Sequence, residues 1–131
     1  MIGGWAHNRY AEPRFTGDLD IFVNNSVENQ KKLRIVLEKF GYGSALPNES
    51  EALFRKGIIM LGRPPSRIDL LIAIDGVTFE QAWGNREQDL LDGTPVFFMA
   101  LKDLIQNKEA SGRDKDLADL KLLKRLKNKK V

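Results

Sequence analysis

The 131-residue chain has no cysteine and a single histidine, His7. The first absence excludes disulfides and thiolate metal sites. The second excludes a histidine-rich metal centre, and His7 reads as an ordinary helix residue. Aromatic residues are few, with two Trp, two Tyr and seven Phe. Trp5 and Trp83 are therefore expected in the core rather than as platforms for stacked bases. No apolar run approaches the length that crosses a bilayer, and the first residues do not form a secretory signal, so a cytoplasmic location is expected. Net charge is only +3, and the excess gathers at the end in Lys121, Lys124, Arg125, Lys127, Lys129 and Lys130. These cations suit a helix C-terminus. Nucleic-acid binding is weakly supported, because no aromatic residues interleave with them.

Hydrophobic residues make up 42% of the chain and charged residues 30%, which describes one soluble domain spanning 1–131. Trp5 to Glu12 reads as a short helix stopped by Pro13, and Leu19 to Val23 as a strand. Ser26 caps a helix in which Leu33, Val36, Leu37 and Phe40 form one apolar stripe, ended by Gly41 and Gly43. Gly57 to Leu61 and Arg67 to Ile74 read as two strands. Thr78 and Gln81 have capping-box spacing before a short helix. Val96 to Phe98 is a further strand. The segment 100–128 is a C-terminal helical part: one helix ended by Gly112, then one carrying Leu117, Leu120, Leu122, Leu123 and Leu126. The expected class is α+β, a small mixed sheet with helices mainly on one face.

Asp18 and Asp20 open the first strand. Residues two apart on a strand share a face, so these carboxylates stand side by side and repel unless a cation lies between them. Asp69 sits in Arg67-Ile68-Asp69-Leu70-Leu71, pointing away from the face of Ile68, Leu70, Ile72 and Ile74. If the two strands are neighbours, three carboxylates converge. Oxygen donors of this kind suit hard cations such as Mg2+ or Mn2+. A pair of such ions about 3.5–4 Å apart holds the attacking and leaving oxygens of a phosphoryl displacement. Gly3-Gly4 precedes a helix, where unobstructed amides offer a phosphate site. Either motif alone is weak, since Asp-x-Asp and Gly-Gly both occur in plain turns. The combination is specific.

Gly3-Gly4, thirteen intervening residues, Asp18-Leu19-Asp20 and the later strand-borne Asp69 resemble the nucleotidyltransferase superfamily with the DNA polymerase β-like core. The stretches Gly3-Gly4-Trp5-Ala6, Arg14-Phe15-Thr16-Gly17-Asp18 and Lys108-Glu109-Ala110-Ser111-Gly112-Arg113-Asp114 are similar to its small prokaryotic branch. That branch holds minimal nucleotidyltransferases and those of abortive-infection toxin–antitoxin pairs. The resemblance implies metal-dependent transfer of a nucleoside monophosphate from an NTP such as ATP to an acceptor hydroxyl on a protein, an RNA end or a small molecule. Asp18, Asp20 and Asp69 would hold Mg2+ or Mn2+, Asp69 would help remove the acceptor proton, and Gly3 and Gly4 would hold the triphosphate. In that family the Gly-Gly ends a full strand, and here only Met1 and Ile2 precede it, so either the true start lies upstream or the first strand is truncated. A helical toxin-like protein or a homodimer is the partner implied.

Further candidates for nucleotide contact are Arg14, Thr16, Lys108 and Arg113. Arg14 reads equally as a surface partner of Glu12, and Thr16 as a turn hydroxyl. Lys108 continues the Leu101, Leu104, Ile105 stripe, so its ammonium emerges either in a cleft or, snorkelling, in solvent. Ser111 and Asp114 have capping-box spacing, and Lys115 pairs with Asp119 at i, i+4. The rival to the enzyme is a catalytically silent binding module or antitoxin of the same fold, acting by complex formation.

Overall fold

The computed structural model describes residues 1–3, 6, 9, 18–43, 46, 53–54, 57–63 and 66–129. The expected Trp5–Glu12 helix falls mostly outside them, although Ala6 and Arg9 are helical. The chain is mixed α+β. Strand β1 (Asp18–Phe22) leads through Asn24 and Asn25 to helix α1 (Val27–Lys39), followed by strands β2 (Ile58–Leu61) and β3 (Arg67–Leu71). Then come helix α2 (Phe79–Gly84), strands β4 (Glu87–Leu91) and β5 (Thr94–Phe98), and helices α3 (Leu101–Ser111) and α4 (Asp114–Lys129).

The first three strands form one sheet in the order β1-β3-β2, with β1 parallel and β2 antiparallel to β3. A separate two-stranded sheet, β4-β5, was half anticipated. Strand β4 was missed because Glu-Gln-Asp lacks an alternating apolar face, yet Asp92-Gly93 is a strong two-residue hairpin turn, with φ of 51° and 79°. Met1 and Ile2 join the two sheets. Ile2 N donates to Asp20 O at 3.1 Å and Met99 N donates to Met1 O at 3.1 Å. The expected short first strand is thus an isolated bridge between Ile2 and Asp20.

Alternation along the strands divides the core. Ile21, Ile59, Leu61, Ile68 and Leu70 meet Leu33 and Leu37 of α1 on one face. Ser26 caps that helix as expected, accepting from Asn29 N at 3.1 Å. The buried stripe is narrower than its periodicity implies: Val36 is exposed and Phe40 is 74% exposed.

On the other face, Phe22 and Leu71 pack with Leu104, Ile105, Leu120 and Leu123 of α3 and α4. Phe79 of α2 also meets Phe22 on this face, so the described helices lie mainly on one side of the sheet, with α1 alone on the other. The 67–74 alternation also breaks, because Ile72 joins the first cluster and Ile74 the second. The chain leaves the sheet after Leu71 and turns at Gly76, whose φ of 76° and contact with Ala110 leave no room for a side chain. Gln106 Nε2 donates to Gly76 O at 2.6 Å and Asn107 Nδ2 to Asp75 O at 2.9 Å, docking α3 beside the end of β3. Buried Asp103 accepts from Gln81 Nε2 at 2.7 Å and Asn85 Nδ2 at 3.1 Å, tying α2 to α3. Only half of the expected capping box forms, Gln81 N donating to Thr78 Oγ1 at 3.1 Å while the Gln81 side chain serves Asp103.

Candidate functional site

Register decides which charges meet. In the parallel pair β1·β3, Asp18 stands opposite Arg67 and Asp20 opposite Asp69. Opposite residues share a face, and neighbouring strands lie about 4.8 Å apart. Asp18, Asp20 and Asp69 therefore occupy one face of the sheet, with Arg67 among them. The guanidinium bridges two of the acids: Arg67 Nη2 donates to Asp18 Oδ2 at 2.8 Å and to Asp69 Oδ2 at 3.1 Å. Arg67 Nε stands 3.0 Å from Asp69 Oδ1, but the two are misaligned and neither atom makes a hydrogen bond. Hydrogen bonding to Asp69, with the charges of Asp69, Asp18 and Asp20, holds the guanidinium pKa above its ordinary value despite desolvation.

These groups open onto a polar cavity of about 440 Å³. Of the residues expected to act on phosphate or metal, Gly3, Asp18, Asp20, Asp69, Lys108 and Arg113 all border it. Gly4, Arg14 and Thr16 lie outside the described residues. Gly3 has φ of 67°, and a Cβ there would overlap the Asp20 carboxylate. Glycine is thus required both by backbone and by space.

Lys108 neither snorkels to solvent nor offers a free ammonium. It is 3% exposed, with Nζ 2.9 Å from Asp119 Oδ2 and 3.4 Å from Asp116 Oδ1. Asp116 also accepts from Ser111 Oγ at 2.6 Å and Arg113 Nε at 2.8 Å. Burial alone would raise the Asp116 pKa, but these two hydrogen bonds and the Lys108 and Arg113 charges outweigh it, and the pKa falls below its ordinary value. Ser111 is the last residue of α3 and not the cap of α4, so the Ser111–Asp114 capping box does not form. Asp119 pairs with Lys108, and the expected Lys115–Asp119 pair falls outside the described side chains. Arg113 keeps its guanidinium at the cavity rim, its side chain 76% exposed.

Two site residues escaped sequence reasoning. Arg67 precedes Asp69 by two positions on one strand, and the i, i+2 rule that pairs Asp18 with Asp20 applies to it equally. Asp116 had no such signal, since only the α3–α4 packing brings it to Lys108. Trp83 is also not core: it is 45% exposed, with the Arg86 guanidinium carbon 3.8 Å from its ring centroid. With Phe22, Phe79 and Phe97 it lines a second, apolar cavity of about 220 Å³.

Among the described residues no group of three or more acidic or imidazole side chains is already drawn together as a metal site. The donor set nevertheless suits a hard cation. It consists of carboxylate oxygens on one sheet face, and Asp69 Oδ1 is buried without a hydrogen bond. Compared with known proteins, the chain matches no family model and no curated sequence.

Proposed function

We propose that this protein is a metal-dependent nucleotidyltransferase that moves a nucleoside monophosphate from an NTP to an acceptor hydroxyl. The observation that carries the reading is the β1·β3 register, which puts Asp20 beside Asp69 and Asp18 on the same face, at a cavity bordered by Gly3. Asp18, Asp20 and Asp69 are the residues that would hold Mg2+ or Mn2+. When bound, the ion neutralises charge on the phosphate under attack and on the leaving pyrophosphate. Asp69, the most buried of the three, accepts the acceptor proton as the new P–O bond forms and the bond to pyrophosphate breaks. The Gly3 backbone and the Arg113 guanidinium face the polyphosphate. Lys108 supports this arrangement by neutralising Asp116, not by direct contact.

The rival reading, a catalytically silent binding module, is favoured by one observation: Arg67 already neutralises Asp18 and Asp69. The two separate by incubating the protein with Mg2+ or Mn2+ and each labelled NTP, measuring nucleotide binding and pyrophosphate release. The enzyme reading expects metal-dependent release that falls more than about 100-fold in Asp20→Asn, since even outer-shell changes at metal sites cost 10–100-fold. Metal-dependent binding without release, with protein, RNA and small-molecule hydroxyl acceptors supplied, would establish the module. Absence of metal-dependent binding for every NTP would end the enzyme reading.

A further inference from the structure

We infer that Arg67 is a built-in counter-cation that competes with the divalent ion for Asp18 and Asp69, and that binding of the ion releases the guanidinium to the polyphosphate. The inference rests on the metal-dependent reading above and concerns how that site is regulated.

Arg67 Nη2 uses Asp18 Oδ2 and Asp69 Oδ2 at 2.8 and 3.1 Å. A magnesium ion needs carboxylate oxygens at about 2.0–2.1 Å, so an ion that used Asp18 Oδ2 or Asp69 Oδ2 would displace the guanidinium from that atom. A cation there would also stand within a few ångströms of the guanidinium charge and repel it. The two occupants exclude each other.

Without either, Asp18 and Asp69 would lose the cation they share. Arg67 thus preserves the metal-free face from mutual repulsion. Its hold is nevertheless weak enough to yield. Arg67 and Asp18 side chains are 30% and 36% exposed, and ion pairs at that exposure are weak. The contact with Asp69 is misaligned at Nε, which leaves Asp69 Oδ1 buried without a hydrogen bond. A displaced guanidinium cannot lose its proton, and it remains on the wall of the same cavity. Its planar fork matches phosphate oxygens. Ion binding and polyphosphate binding are therefore coupled through one side chain.

The test uses the full chain without nucleotide and Mn2+ as the probe, with the free ion counted by electron paramagnetic resonance. Arg67→Gln, which keeps an amide but no charge, should bind Mn2+ about tenfold more tightly than wild type. It should also lose the gain in ATP affinity that Mn2+ confers on wild type. Arg67→Lys, with a point charge in place of the fork, should fall between. A readout independent of any variant is the Arg67 Nε–H nuclear magnetic resonance signal of the wild type, which should shift on addition of Mg2+. Equal Mn2+ affinity in wild type and Arg67→Gln, or an unmoved Nε–H signal in a protein that binds Mg2+, would overturn the competition and leave the enzyme reading standing. Failure of wild type and variants alike to bind Mn2+ would overturn both.

Discussion

Position 3 admits no side chain. Its φ of 67° strains any L-residue, and a Cβ would enter the space of the Asp20 carboxylate. Gly3→Ala should lower stability by about 1–2 kcal/mol, read as a drop in urea midpoint at unchanged slope. The same variant should weaken Mn2+ binding, because Asp20 must move to make room. A wild-type Mn2+ affinity in Gly3→Ala would show that Asp20 is not a ligand. Asp20 and Asp69 were legible as candidates because the strand period is two, a property of the backbone alone. Their meeting was not legible. It required β1 and β3 to be neighbours in register, and no local pattern encodes a pairing across nearly fifty residues.

At the level of elements, the α3–α4 hairpin is fastened by a buried ion cluster. Lys108 lies between Asp116 and Asp119, all three nearly excluded from water. Lys108→Met keeps the stem and removes the charge, leaving two buried carboxylates without their ammonium. The expected loss is about 3–5 kcal/mol of unfolding free energy in urea titrations at pH 7. The cluster also sets a pH dependence. Asp116 titrates below its ordinary value of 3.8 when folded, so the unfolded chain binds the proton more readily. Its contribution is fully present above that value and disappears as pH falls through the lower, folded pKa. Stability measured from pH 6 down to pH 3 should therefore decline less steeply in Asp116→Asn than in wild type. An identical slope would remove Asp116 from the linkage.

The whole molecule places one sheet between two apolar clusters, and only one of them adjoins the charged cavity. Leu37, buried under α1, and Leu104, buried under the hairpin, are both core residues. Replacing either with Ala should cost about 2–5 kcal/mol. Their functional consequences should differ. Leu104 packs in the cluster that contains Ile2, Phe22 and Leu71, neighbours in sequence of Gly3, Asp20 and Asp69. Leu104→Ala should therefore weaken Mn2+ binding at temperatures where both variants are folded, whereas Leu37→Ala should not. Equal Mn2+ affinities in the two variants would mean that the cavity is held by the sheet alone.

Local sequence determined most elements and the chemical character of the site. Strand alternation, the Ser26 and Thr78 caps and the Gly112 stop are short-range effects that a few residues encode by themselves. So is the presence of acids at the head of one strand and in the middle of another. Tertiary structure decided the remainder. It set which strands pair, that helices cover both faces, that Arg67 bridges Asp18 and Asp69, and that Lys108 is buried against two carboxylates. The physical reason is range. Hydrogen-bonding preference acts over one turn or one strand, whereas the partner of a buried charge is chosen by the packing that excludes water around it.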